Sequence, residues 1–204
     1  MEILDLETHD LHQERLQRVA TLLKASGARR VLDLGCGSGR LLQYLMREPQ
    51  YERVVGLELD GELLAQAKLL LENLPGSRRE CLELVCASYT EPHPALSGFE
   101  AAAMVETIEH VLPEKLSAVE QAVFGEMRPS LLIMTTPNRE YNPLYDMEPG
   151  ELRDADHKFE WDRARFREWV SGVAWRNGYR VTISGIGDWD PEFGQPTQVA
   201  RFER

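Results

Sequence analysis

Three glycines in five residues, set directly after an apolar run that contains an acid, constrain this chain more than any other feature. The stretch reads Val31-Leu32-Asp33-Leu34-Gly35-Cys36-Gly37-Ser38-Gly39. The apolar run has the composition of a buried strand. The glycines let backbone approach a ligand closely, because they carry no Cβ and tolerate positive φ. An apolar helical pattern follows (Leu41, Leu42, Leu45), so free N–H groups at a helix start face whatever binds there. A strand, a glycine turn and a helix in that order point to a nucleoside-type cofactor.

The rest of the chain repeats the alternation. Leu16, Val19, Ala20 and Leu23 recur at helical spacing before a stop at Ser26-Gly27, so residues 1–27 read as a helical lead-in. Strands are predicted at 31–34, 53–59, 82–86, 99–105, 131–135, 179–186 and roughly 197–202. Helices are predicted over 63–74, about 113–127 and around Phe166, Trp169, Val170 and Val173. Residues 137–158 are polar, Pro-punctuated and aperiodic, and long loops of that kind are usually functional. Strands alternating with helices imply βαβ units: an α/β fold with a mainly parallel seven-stranded sheet, helices on both faces and a ligand site at the carboxyl ends of the strands. The last two strands lack an intervening helix and should pair antiparallel at one edge. The 204 residues fit one domain over 1–204, with 137–158 as its active-site loop.

Composition narrows the partners. A formal net charge of -11 opposes non-specific attraction to nucleic acid or an anionic membrane. No apolar run approaches the ~20 residues of a membrane span. The start, Met-Glu-Ile-Leu-Asp, is acidic and unlike a basic leader. Cys36, Cys81 and Cys86 have neither disulfide-framework nor zinc-site spacing, which fits a reducing, cytoplasmic setting.

A second group of residues follows the fourth strand: Glu106-Thr107-Ile108-Glu109-His110. In a helical turn, residues at i, i+3 and i+4 share a face, so Glu106, Glu109 and His110 are expected to point one way. Two carboxylates and an imidazole at short range repel or desolvate one another unless a cation joins them. The mixed nitrogen and oxygen set suits Mn²⁺, Co²⁺ or Fe²⁺ better than the all-oxygen preference of Mg²⁺. A further ligand must come from elsewhere, and His157, at the end of the long loop, is the candidate. The competing reading is a solvated acidic turn and an ordinary loop histidine.

The glycine stretch, with Asp33 and with Glu58 at the end of the second strand, resembles the class I (Rossmann-like) S-adenosylmethionine-dependent methyltransferases. The resemblance implies that Asp33, Gly35, Gly37 and Gly39 line the S-adenosyl-L-methionine site, that Glu58 binds the cofactor ribose, that Leu59 packs near the adenine and that Ser88 meets its edge. Nicotinamide cofactors are the main competing reading, although the spacing is G-x-G-x-G and not G-x-G-x-x-G.

Three further stretches look like signatures of the small-RNA 3′-terminal 2′-O-methyltransferases, the Hua-enhancer family. They are Glu106–His110, Thr136-Pro137-Asn138-Arg139-Glu140-Tyr141-Asn142, and Asp156-His157-Lys158-Phe159-Glu160-Trp161. The resemblance runs from about Gln13 to Ser184. It implies that Glu106, Glu109, His110 and His157 hold one divalent ion (Mn²⁺ or Mg²⁺), which in turn holds the hydroxyls of the 3′-terminal ribose of RNA. Without plant-type RNA-binding domains the chain looks like the bacterial branch, where such a domain works in RNA repair beside a kinase–phosphatase–ligase partner. The chain departs from that pattern at Asp162, where Thr or Ser is usual, and at Ser38, where Glu is common.

Two other functions fit the same residues. One is a metal-assisted O-methyltransferase of a small-molecule hydroxyl or catechol. The other is a non-catalytic S-adenosylmethionine-binding module that docks RNA-repair partners. Arg139, Tyr141 and Asn142 either shape a substrate pocket or serve the turn. Trp161 and Trp169 either stack a base or pack the core, and packing is the expected role.

Overall fold

The structure, a computed structural model, describes the backbone of residues 2–204 and the side chains of residues 11–204. The acidic start at residues 1–5 lies outside the described side chains.

Seven strands form one sheet in the order β3-β2-β1-β4-β5-β7-β6. They are β1 (Arg30–Leu34), β2 (Arg53–Glu58), β3 (Leu82–Cys86), β4 (Ala101–Val105), β5 (Leu131–Pro137), β6 (Arg180–Ile186) and β7 (Thr197–Glu203). β1 pairs parallel with β2 and with β4, β2 with β3, and β4 with β5. Only β7 runs against its neighbours, β5 and β6. The sheet is therefore mainly parallel, as the alternation required, and the final pair is antiparallel as expected.

Burial follows from this topology. β4 and β5 lie at the centre with helices on both faces, so their sequences, Ala-Ala-Ala-Met-Val and Leu-Leu-Ile-Met-Thr-Thr-Pro, are apolar without alternation. One core packs Leu32, Leu34, Met104, Phe124 and Phe202 on one face of the sheet. The other packs Val31, Val54, Ala103 and Ile133 against Leu16, Val19 and Leu23 of helix α1 (Glu2–Ala25). α1 ends at Gly27, whose φ is 74°.

α2 (Arg40–Leu45) and α3 (Gly61–Leu70) follow β1 and β2. Asp60 caps α3 by accepting from Glu62 N at 2.7 Å. A short α4 (Gly76–Arg79) follows, just beyond the helix predicted over 63–74. The helix expected over 113–127 is three kinds of helix in succession: a 3₁₀ turn at Pro113–Lys115, α5 at Leu116–Val119 and a π-helical run at Glu120–Met127. The polar stretch after β5 contains a 3₁₀ helix at Arg139–Tyr145, capped by Asn138. Asp162 caps α6 (Arg163–Asn177) by accepting from Arg165 N at 2.7 Å, the task a Thr or Ser would perform there.

The chain leaves β1 in one direction across the sheet, through β2 to β3, and then crosses to β4 on the other side of β1. The carboxyl ends of β1 and β4 thus flank a topological switch point, where open α/β sheets bind ligands.

Candidate functional site

The glycine turn after β1 sits at that switch point. Gly35 has φ 78°, and a Cβ built there would lie 2.2 Å from Thr107 Oγ1, so no side chain fits. Gly37 has φ 52° with open space around it, and its N–H donates to Glu58 Oε2 at 2.8 Å. The other Glu58 oxygen accepts from Asp60 N at 2.9 Å. These bonds fix a carboxylate beside the turn at the end of β2. Leu59 next to it is 69% exposed, so its side chain is free to pack on a ligand held at that carboxylate.

Asp33 is buried on β1, and its Oδ2 has no hydrogen-bond partner. Burial, helped by the nearby Glu58 charge, pushes its carboxyl up to about 7. An orphaned buried acceptor under a glycine turn is what a ligand ammonium or a bound water would satisfy, so the residues fit S-adenosylmethionine. Ser88 fits less directly. Its Oγ is 2.7 Å from Thr90 Oγ1 and also accepts from Thr90 N, so the hydroxyl faces its own turn and not an open cleft.

Thr107 joins the two halves of the site. It fills the space a Gly35 side chain would need, and Tyr89 OH donates to its carbonyl at 2.9 Å. On either side of it lie Glu106 and the 3₁₀ turn Ile108–His110. The helical face expected for Glu106, Glu109 and His110 does not form. Glu106 has φ 48° and Thr107 has φ −139°, so the backbone turns away from a helix just before Ile108. Ile108 is buried in the core and Leu112 is 42% exposed.

Glu109 points inward and is fully buried. Its Oε2 accepts from Thr136 Oγ1 at 3.0 Å, while Oε1 has no partner. Burial, then the Glu106 charge, push this carboxyl well above the ordinary range. A cation at Oε1 would reverse both effects.

The long loop brings His157 to the same place. Lys158 N donates to the Glu109 carbonyl at 2.8 Å, which lays the loop along the turn. Ligand atoms of Glu109, His110 and His157 lie within 4.8 Å of one another. The two imidazoles meet edge to face, with centroids 4.9 Å apart. Each is oriented through Nδ1 by a carboxylate: His157 donates to Glu160 Oε1 at 2.7 Å, and His110 to Asp156 Oδ2 at 3.1 Å. Since an ionised carboxylate only accepts, Nδ1 carries a proton in each ring, and Nε2 is the nitrogen left to face a ligand. Carboxylate–imidazole pairs of this kind orient metal-ligating histidines. Two oriented imidazoles and a buried, unpaired carboxylate oxygen suit one divalent ion.

Glu160 is itself held. Burial raises its carboxyl, but bonds from His157, Asn142 and Arg153 N outweigh burial and leave it below its usual value. Asn142 Nδ2 donates to Glu160 Oε2 at 2.8 Å, and Arg153 Nε donates to Asn142 Oδ1 at 2.7 Å. Asn142 therefore orients the site from behind, and Tyr141 is buried beside it. Trp161 is buried, stacked on Phe159 at 4.5 Å and packed near Trp169, in the expected core role.

Glu106 is not drawn into the trio. Its Oε2 pairs with Arg15 at 3.0 Å, and its Oε1 accepts from Thr135 Oγ1 at 2.8 Å. The sequence reading missed Arg15, Thr136 and the orienting roles of Asp156 and Glu160. Asp156 and Glu160 stand one residue before and three after His157, a spacing that could have revealed them.

Comparison with known proteins accounts for this architecture. Residues 31–130 match a family model described as a methyltransferase domain. The small RNA 2′-O-methyltransferase of Xenopus tropicalis is 36% identical over 95% of this chain, which aligns to 55% of that protein. The chain spans about half the length of curated relatives such as this one. The methyltransferase domain of the bacterial protein CtHen1 superposes with a TM-score of 0.86 at 38% identity, covering 95% of this chain and 100% of that domain. A structure of the Pnkp1/Rnl/Hen1 RNA repair complex shares the fold, with a TM-score of 0.73 at 23% identity over 96% of this chain and 42% of that one. The fold is that of S-adenosylmethionine-dependent methyltransferases, and the chain belongs to the Hen1 family of small RNA 2′-O-methyltransferases.

Proposed function

We propose that this chain is one methyltransferase domain that moves the methyl group of S-adenosyl-L-methionine to the 2′-oxygen of the 3′-terminal ribose of RNA, with one divalent ion (Mn²⁺ or Mg²⁺) in the site. A single contact supports this best. Thr107 packs against Gly35, so the donor turn shares a wall with the turn that presents Glu109 and His110. A donor methyl and an acceptor oxygen bound on the two sides of that wall meet at short range, and proximity and alignment supply much of the rate.

The residues divide the work. Asp33, Gly35, Gly37, Gly39 and Glu58 hold the donor, with Leu59 against the adenine and Ser88 near its edge. Glu109, His110 and His157 hold the ion, and Glu106 is the fourth ligand once its side chain turns inward. When bound, the ion lowers the pKa of a ribose hydroxyl and fixes its position. Asp156 and Glu160 hold the Nδ1–H of each histidine and so aim Nε2 at the ion. A histidine whose lone pair is so used is a poor general base, so no protein base is assigned, and the hydroxyl proton leaves to water. Adjacent 2′ and 3′ hydroxyls exist only at an RNA 3′ end, which selects that end over DNA and over internal ribose.

We also assign the domain to cytoplasmic RNA repair beside a kinase–phosphatase–ligase partner. The motif resemblance supports this, and the fold shared with a chain of such a complex agrees with it. No described helix is long and apolar enough to cross a membrane.

The test is the 3′ end of the product. RNA treated with the protein and S-adenosylmethionine should resist periodate oxidation, which needs a free 2′,3′-diol. RNA that stays sensitive while a catechol is methylated would replace this reading with the small-molecule one.

A further inference from the structure

We propose that Arg15 is a displaceable counter-ion for Glu106. Its guanidinium and the divalent ion compete for that one carboxylate, so α1 sets how tightly the ion is held. The inference rests on the metal reading above.

Three observations support it. First, the pair is built at the site. Arg15 reaches from α1 to Glu106 at 3.0 Å, with side-chain exposures of 11% and 15%. Second, Arg15 is poorly satisfied. Its Nε is buried without a hydrogen-bond partner among the described residues, so the guanidinium leaves a donor unused in a setting where unused donors are costly. Third, the Glu106 backbone is already committed. Its φ of 48° is rare outside glycine, and its N–H donates to Thr135 Oγ1 at 3.1 Å and to the Thr135 carbonyl at 3.2 Å. With the backbone so held, a move of the carboxylate away from Arg15 is a side-chain rotation that also gives up the Thr135 Oγ1 bond to Oε1.

Arg15 thus supplies, in the ion-free protein, the positive charge that two nearby carboxylates require. Ion entry makes that charge redundant and repels it. The expected consequence is a trade. The ion is held more weakly than four ligands would allow, and α1 is pinned less firmly when the ion is present.

Calorimetric titration of the metal-free full chain with MnCl₂ tests this across wild type, Arg15→Gln, Glu106→Gln and the double variant. Arg15→Gln should bind Mn²⁺ about tenfold more tightly than wild type, as expected for removal of a competitor worth about 1.4 kcal/mol. In the Glu106→Gln background the same change should alter affinity less than about twofold, because the contested carboxylate is gone. Arg15→Lys, a more conservative change that loses only the fork, should fall between wild type and Arg15→Gln and serves if the glutamine variant does not fold. Unchanged or weaker binding in Arg15→Gln overturns the inference. An equal gain in the Glu106→Gln background also overturns it, since that would be simple charge repulsion. A wild-type protein that binds Mn²⁺ while Arg15→Gln behaves identically removes this inference alone, whereas a wild-type protein that binds no Mn²⁺ removes the metal reading with it.

Discussion

The glycine turn proposed to hold the donor and the trio proposed to hold the ion share a wall at Thr107, yet they are assembled in opposite ways. The donor turn is local. Nine consecutive residues, Val31–Gly39, supply the strand, the buried acid and the glycines, and Glu58 closes it from the adjacent strand. The trio is composite. Glu109 and His110 come from the turn after β4, His157 from a loop after β5, and the orienting groups from 136, 142, 156 and 160. A local site depends on backbone shape, and one added methyl damages it. A composite site depends on charge balance, and it fails when any partner is removed.

That contrast can be broken most sharply at His157. Replacing it with Ala should cut methyl transfer by about a thousandfold or more while leaving S-adenosylmethionine affinity within about twofold, read by single-turnover transfer and by calorimetry. If donor affinity falls in parallel, the two halves are not separable.

The donor half should show its own signature in pH. The folded-state carboxyl of Asp33 is raised from 3.8 to about 7. The native protein therefore holds a proton that the unfolded chain gives up near pH 4. Its stabilising contribution is complete below about pH 4 and is lost as pH rises through 7, up to about 4 kcal/mol for a shift of this size. Asp33→Asn should melt with the ligand-free wild type at pH 4 and above it at pH 8, with weaker donor binding throughout. Equal melting at both pH values would mean that the buried acid is neutralised by other means.

Gly35→Ala tests backbone shape directly. With φ at 78° and a new Cβ 2.2 Å from Thr107 Oγ1, it should cost about 2–3 kcal/mol in chemical denaturation and weaken donor binding. Adding Thr107→Ala should recover the steric part and leave the strain from φ. A smaller effect is expected at Glu160. Glu160→Gln keeps shape and loses charge, and Mn²⁺ affinity should drop about 10–100-fold with little change in donor affinity.

The same contrast explains what could be read in advance. The donor turn is legible because its residues are consecutive and each type has one physical purpose. The strand order around it follows from alternation. His157 and the turn at 106–110 are legible as ligand types, but their arrangement is not. Helical spacing put Glu106, Glu109 and His110 on one face, whereas a left-handed Glu106 sends its carboxylate to Arg15. No local pattern announces a non-glycine residue at positive φ, because neighbouring strands and the Thr135 bonds impose it. Arg15 lies ninety-one positions before Glu106 and looks like any polar residue of a surface helix. The π-helical run at Glu120–Met127 was equally hidden, since its apolar residues also satisfy an ordinary helix.

The central claim is that Glu109, His110 and His157 hold an ion that presents a terminal ribose diol to the donor. Transfer of labelled methyl from S-adenosylmethionine to a short RNA, compared with the same RNA ending in 3′-deoxyribose and with both in excess chelator, tests it most directly. The account predicts label only on the diol-ended RNA, abolished by chelator and restored by Mn²⁺. Undiminished transfer in chelator, or equal labelling of the 3′-deoxy end, would contradict it.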